Sequence, residues 1–424
     1  MAQPTADEVR DELRGWLDDA WDADLTVAEW WSRLADGRWA VPTWPEEWHG
    51  RGFSGDLARV VSETLRGAGA LGPPAGLGVL LAGPTISTHG SDEQKERFLR
   101  PIVDGREGWC QLFSEPGSGS DLASLQTKAV RDGDEWVISG QKVWTSGGQT
   151  ADLGMLIART DPDLPKHQGI TYFAFPMDQP GVEVRPLREM TGRALFSEVF
   201  FDEARVRDDA IIGGLDNGWK VANTTLAYER AGLGGGGTGA GGGGFPGKKG
   251  GLLDRRVGDL VTGVGKGRAV QPSAFGGSFE LLHGIAEKLG RAGDPLVRQR
   301  LAELYTLTEI GRMSALRGKA ARASGHGIGG EGNLAKLLMS RIIRISRDLG
   351  PAILGPEAML TGDGTTGGGV VQEMTLFAPA PSIYGGTDEI QKNIVGERVL
   401  GLPKEPGPPK DTPFRELKVG TQTA

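Results

Sequence analysis

The sequence predicts an α+β multidomain protein: a helical N-terminal domain, a middle β-barrel or sandwich, and a helical C-terminal domain. Three observations carry this expectation. Apolar residues recur at helical spacing before residue 108 and again after residue 216. Between them lie short β-rich runs punctuated by Gly and Pro. The blocks follow one another instead of alternating, which argues against a doubly wound α/β sheet. The length of 424 residues allows two to three domains of roughly 100–200 residues each. The expected boundaries are 1–108, 109–215 and 216–403, with a tail at 404–424.

In the first block, Val9, Leu13, Trp16, Leu17 and Ala20 form one amphipathic stripe. A second helix surrounds Leu57–Leu65. A third covers Asp92–Phe98, with Ser91 as its N-cap. Seven of the 11 tryptophans fall between Trp16 and Trp48 and read as packing residues. In the middle block, Asp132-Gly133-Asp134 is a turn before the strand Glu135–Ser139. Further strands are expected at Leu153–Ala158, Ile170–Phe175, Val182–Arg185 and Phe196–Phe201. In the third block, helices are expected at 216–231, 254–263, 278–290, 296–324, 333–354 and 388–400. The tail, rich in Pro and charge, reads as extended or disordered.

Composition narrows the function classes. Lys+Arg 47 against Asp+Glu 55 gives a net charge of −8, with no basic stripe for a phosphate backbone, so no nucleic-acid role is expected. A single cysteine, Cys110, forbids an intramolecular disulfide. Five scattered histidines offer no metal spacing, and no metal is expected. The N-terminus lacks the apolar core of a signal peptide, and no run is long enough to span a membrane. A cytoplasmic, soluble protein is expected. Glycine is in excess, at 69 residues, against a usual share of about 7%. It has no Gly-X-Y period, so collagen is excluded. Glycine runs at 231–244 match a dinucleotide fingerprint only by accident, because almost any spacing matches within them.

Three segments can carry chemistry. The first is Phe113-Ser114-Glu115-Pro116-Gly117-Ser118-Gly119-Ser120-Asp121, whose small residues let a ligand approach the backbone. The second, Lys142-Val143-Trp144-Thr145-Ser146-Gly147-Gly148, is a strand end with an aromatic plate beside two hydroxyls. The third is Ile383-Tyr384-Gly385-Gly386-Thr387-Asp388-Glu389-Ile390-Gln391. There Thr387 reads as an N-cap, with two acids in the first turn.

In this order and on this plan, the segments resemble the acyl-CoA dehydrogenase family over roughly residues 5–403. The resemblance rests on Glu-Pro-Gly-x-Gly-Ser-Asp, then Lys-x-Trp-x-Ser, then Tyr-x-Gly-Thr-x-x-Ile-Gln. It implies a C-terminal four-helix bundle, with FAD between the bundle and the β domain. By the same resemblance, Phe113, Ser114, Trp144, Thr145, Ser146, Thr387 and Glu389 stand at cofactor-binding positions. Ser114 would meet the flavin pyrimidine edge, Trp144 the isoalloxazine face and Ser146 its reactive nitrogen. Thr387 and Glu389 would face the ribityl–pyrophosphate side. Gly119, Ser120 and Arg230 stand on the substrate side, Ser120 near the CoA pyrophosphate.

The family's chemistry needs a carboxylate to remove the α-proton of an acyl-CoA while a hydride leaves the β-carbon. Many members carry this glutamate directly after the tyrosine of the third segment, where this chain has Gly385. A minority place it on another helix before an arginine, which here is Glu229-Arg230. The residues themselves support that position. Trp219, Ala222, Leu226 and Glu229 share one helix face, so Glu229 continues an apolar stripe, where a carboxylate is expensive. Burial would raise its pKa and suit it as a general base. The alternative is a structural ion pair with Arg230. Gly385 keeps its backbone N–H, which the family uses to bind the thioester carbonyl.

The resemblance also implies an electron-transfer flavoprotein as electron acceptor and a homodimer or homotetramer. On the adenine side of FAD the pattern is weaker. The nearest matches are Gln271–Gly276 and Ala352–Pro356, with Ala352 where a glutamine is usual. A heterotetramer, in which a homologous chain supplies those groups, is the alternative assembly. A flavin oxidase or monooxygenase, or a non-catalytic partner subunit, are the alternative functions. The glycine run after Glu229 is read as a helix end that loosens or kinks beside the acyl pocket, with Pro246 ending it and Asp254 reopening helix.

Overall fold

The computed structural model describes residues 3–234, 246–249, 251–261, 278–324, 330–360, 362 and 364–418. The N-terminal region holds five helices: α1 (Ala6–Ala20), α2 (Val27–Asp36), α3 (Gly55–Gly67), α4 (Gly83–His89) and α5 (Asp92–Val103). Val9, Leu13, Leu17 and Ala20 bury the expected stripe of α1. Ser91 caps α5 as expected, and Gln94 returns the bond to complete a capping box. The sequence reading did not include α2 and α4. For α2 the local signal was present, because Thr26 and Glu29 form a reciprocal capping box at its start. The tryptophans do pack: Trp30, Trp31 and Trp39 are fully buried. The indole N–H groups of Trp30 and Trp31 donate to the carbonyls of Leu71 and Gly72, so burial leaves neither donor unpaired.

Seven strands build the middle region: β1 (Trp109–Leu112), β2 (Lys128–Asp132), β3 (Glu135–Ser146), β4 (Leu153–Arg159), β5 (Ile170–Pro176), β6 (Val182–Leu187) and β7 (Phe196–Arg207). They form two groups. In one, β4 pairs in parallel with β1 and antiparallel with β5. In the other, β2, β3, β7 and β6 lie side by side in that order, each pair antiparallel. A parallel pairing of Lys128 with Arg159 joins them. A core that includes Leu112, Ile138, Leu156, Phe173 and Val199 lies within the sheet. The five expected strands are all present, while β1 and β2 add to them.

After the sheet come α6 (Gly218–Gly234), α7 (Val257–Val261), α8 (Ser278–Lys288), α9 (Pro295–Ala323), α10 (Glu331–Leu354), α11 (Val370–Phe377) and α12 (Asp388–Ile394). Helix α10 contacts α6, α8 and α9, which gives the C-terminal helical region its centre. Helix α6 remains helical through Gly234; the rest of the glycine run, 235–245, lies outside the described residues, as does the segment 271–276. The chain re-enters helix at Val257 rather than at Asp254. Residues 251–261 dock on the N-terminal helices. Val27 and Ala28 donate to the carbonyls of Arg255 and Leu253, and Val257 donates to Leu25. Leu252 and Val257 are buried in the N-terminal core.

The tail, expected to be extended or disordered, is anchored at Phe414. Phe414 is buried, and the Arg159 guanidinium lies 3.7 Å from its ring centroid. Phe414 N–H donates to Leu164 and Arg415 N–H to Pro162, and Arg415 pairs with Asp163. One aromatic anchor with a cation–π partner outweighs the polar composition around it. No helix among the described residues is long and apolar enough to cross a membrane, and none of their acidic, His and Cys side chains form a metal-binding group.

Candidate active site

Glu229 lies on α6, which contacts β4, β5 and α10. It is half-buried. Burial pushes its carboxyl pKa up, with a hydrogen bond from Gln111 and the charge of Arg230 opposing that rise. The hydrogen bond runs from Gln111 Nε2 to Glu229 Oε2 at 3.3 Å. Arg230 acts on Glu229 only through its charge. Its own pKa is pushed down, first by burial, with the charge of Arg398 adding to that and Glu229 opposing it.

The loop after β1 holds Phe113 and Ser114. Phe113 is buried and meets Tyr172 edge-on. The Ser114 carbonyl accepts from Val143 N–H at 2.9 Å, which ties the loop to the end of β3. Beneath it lies a buried ion pair. Lys142 Nζ donates to Glu115 Oε1 at 2.8 Å and to the Phe113 carbonyl at 2.9 Å. Glu115 also accepts the backbone N–H groups of Gln126 and Thr127. Burial works to raise the Glu115 carboxyl, but Lys142 and these hydrogen bonds outweigh it and hold it below the usual carboxylate range. Gly119 and Ser120, further along the loop, are exposed.

At the end of β3 the pairing with β7 breaks between Lys142 and Thr145. Trp144, inside this bulge, has φ +62° and an exposure of 61%. An aromatic residue in the left-handed region is strained, and a bulge is a device for re-aiming a side chain. Its ring meets Phe196 edge-on and presents a face to solvent. Ser146 is half-buried, whereas Thr145 is fully buried. The Thr145 hydroxyl and that of Ser197, its partner across the strands, make no hydrogen bond among the described residues.

The third segment is a turn into α12. Gly385 and Gly386 have φ +62° and +82°. That conformation supplies a backbone reason for glycine at both positions. Gln391, fully buried, donates to the Gly385 carbonyl at 2.6 Å. The Gly385 N–H has no acceptor among the described residues. Thr387 caps α12 by accepting from Ile390 N–H at 3.2 Å, and Glu389 is exposed. Asp388 is buried against α10, where Lys336, Ser340 and Arg344 all donate to it. Burial tends to raise its carboxyl, but those three donors prevail and hold it low. Ala352, the other adenine-side position, is exposed on α10.

The structure thus joins Ser114 to the β3 end through Val143, and Glu229 to β1 through Gln111. No hydrogen bond or ion pair among the described residues links either group to Gly385, Thr387 or Glu389. The exposed indole of Trp144 offers a stacking face for a planar heteroaromatic ligand, with the half-buried Ser146 two residues on. A half-buried carboxylate of raised pKa suits proton abstraction. Sequence reasoning missed Gln111, and it gave no role to Lys142, Asp388 or Gln391. The signal for Gln111 was a polar residue inside the apolar run 109–113.

Descriptions of the acyl-CoA dehydrogenase N-terminal, middle and C-terminal domains match residues 1–106, 110–204 and 274–400. The chain is 35% identical over 419 residues to the acyl-CoA dehydrogenase IpdE1 of Mycobacterium tuberculosis, covering 94% of this chain and 98% of that protein. Two solved structures are similar. The Tcur3481-Tcur3483 steroid ACAD matches with a TM-score of 0.70 and 27% identity over 95% of this chain and 99% of that one. The ChsE4-ChsE5 complex of Mycobacterium tuberculosis matches with a TM-score of 0.68 and 27% identity over 96% and 99%.

Proposed function

Because the chain belongs to the acyl-CoA dehydrogenase family, we propose that it desaturates an acyl-CoA thioester between its α- and β-carbons, with Glu229 as the base. One observation carries the reading. Glu229 is half-buried with a raised pKa on α6, while the third segment offers only the backbone of Gly385. Glu229 takes the α-proton as a hydride leaves the β-carbon, so a C–C single bond becomes a double bond. FAD, when bound, supplies the acceptor for that hydride, and its electrons leave for an electron-transfer flavoprotein. Phe113, Ser114, Trp144, Ser146, Thr387 and Glu389 are the residues that would hold it. The Gly385 N–H would stabilise charge on the thioester oxygen, and Arg230 would offset the charge of Glu229.

Similarity to the Tcur3481-Tcur3483 steroid ACAD supports a steroid-derived acyl group, and similarity to the ChsE4-ChsE5 complex supports a second subunit. The outer face of α9 exposes Tyr305, Ile310, Met313 and Leu316, an apolar surface suited to a subunit contact. Size-exclusion chromatography of this chain alone, with its flavin spectrum, separates the assemblies. Full flavin in a homo-oligomer removes the need for a second subunit.

The decisive experiment is Glu229→Gln. The variant is expected to bind flavin as the wild type does and to lose acyl-CoA-dependent flavin bleaching. Wild-type bleaching rules the base out. Because the Glu229 pKa is raised, bleaching in the wild type rises with pH through a midpoint above the ordinary carboxylate range of about 4.3.

A further inference from the structure

Gln111 stands on β1 between Cys110 and Leu112, both fully buried. Side chains alternate along a strand, so Gln111 projects from the opposite face. There its amide meets Glu229 of α6, with Nε2 3.3 Å from Oε2. Strand β1 is a firm mount, because it pairs in register with β4, Gln111 opposite Met155. Glu229 lies in the C-terminal half of α6. Its second oxygen, Oε1, has no hydrogen-bond partner among the described residues.

We propose that Gln111 is the positioning residue of the base: its amide holds Oε2 of Glu229 and leaves Oε1 free to receive the substrate proton. This inference rests on Glu229 being the base. A neutral donor suits the task. A lysine or arginine here would fix the carboxylate equally well, but its full charge would stabilise the ionised form and weaken the base. An apolar side chain would leave the carboxylate without an anchor. Arg230 is the charged group that acts on Glu229 among the described residues, and Arg398 in turn acts on Arg230. Neither supplies the hydrogen bond that sets orientation.

The test compares Gln111→Met, of similar length but with no donor, with the wild-type holoenzyme. Flavin content and the unfolding midpoint are measured first, then single-turnover flavin bleaching by an acyl-CoA across pH. Removing a donor to the ionised form raises the pKa of the base, so the acidic limb is expected to move up by about one pH unit. The plateau rate is expected to fall by roughly tenfold at unchanged flavin content, because an unanchored carboxylate spends less time aligned. If Gln111→Met loses flavin, Gln111→Asn replaces it. That variant keeps a polar side chain on the strand but withdraws the amide by one methylene, and it is expected to shift the limb the same way. A pH profile that superimposes on the wild type overturns the proposal, provided Glu229→Gln is inactive. Wild-type bleaching in Glu229→Gln overturns the base assignment instead.

Discussion

Trp144 is held in a backbone conformation that costs a bulky residue roughly 1–3 kcal/mol. Asparagine tolerates that conformation, so Trp144→Asn should leave the unfolding midpoint close to the wild type or slightly higher. The same variant should bind flavin much more weakly, and flavin retained at wild-type affinity would deny the ring its role. Lys142 and Glu115 present the opposite case, in which stability and site depend on one contact. Removing one partner of a buried ion pair costs about 3–5 kcal/mol, because the other charge stays buried. Lys142→Met should therefore lower the unfolding midpoint and release flavin together, while Lys142→Met combined with Glu115→Gln should recover part of the stability. Asp388 sets a pH dependence. Its folded pKa is depressed, so its contribution is complete above the ordinary value of about 3.9 and is lost as pH falls through the folded value. Asp388→Asn should be less stable at neutral pH and show a shallower loss of stability on acidification, measured by denaturant titrations at several pH values.

Among the elements, α6 and β1 differ in how far the sequence discloses them. The helical stripe of α6 was legible, because a spacing of three and four residues is a strong signal and Glu229 stands on it. Strand β1 was not, since four residues give too little period to separate a strand from any apolar run. Strand β2 was hidden for another reason: of its five residues only Ala129 is buried, so its polarity resembles a loop. The cost of missing β1 was Gln111, whose place beside Glu229 depends on a pairing between distant parts of the chain. The turn before α12 shows a similar limit. Thr387 as a cap was legible, but the three donors that α10 gives Asp388 lie at Lys336, Ser340 and Arg344, some fifty residues earlier. The left-handed φ at Gly385 adds a consequence at this scale. Gly385→Glu, which restores the family's commoner placement of the base, should not simply relocate activity, because a side chain there carries a strained backbone. Bleaching by Glu229→Gln combined with Gly385→Glu at wild-type rate would refute this.

At the scale of the molecule, two chain segments end far from where composition would leave them. The tail returns to the middle region and lodges Phe414 beneath Arg159, whose pKa is pushed down to about 10 by burial. Phe414→Ala should free residues 400–418 to protease with little change in the global unfolding midpoint, because such a latch opens locally. A tail as resistant as the wild type would show that the backbone bonds to Leu164 and Pro162 suffice. Neither the latch nor the docking of 251–261 could be read from sequence, because proline, glycine and charge report local preference and not a distant partner. The glycine run reads locally as a loosened helix end, yet the chain that follows it packs into the N-terminal core.

That completion has a consequence for synthesis. Leu252 and Val257 belong to the same core as Trp30 and Leu34. The N-terminal helices therefore emerge from the ribosome without two of their own core residues. At about 5–20 residues per second, roughly ten to thirty seconds separate the end of α5 from the arrival of α7. During that interval the nascent helices expose the surface that 251–261 will cover, which makes them a natural client for a chaperone.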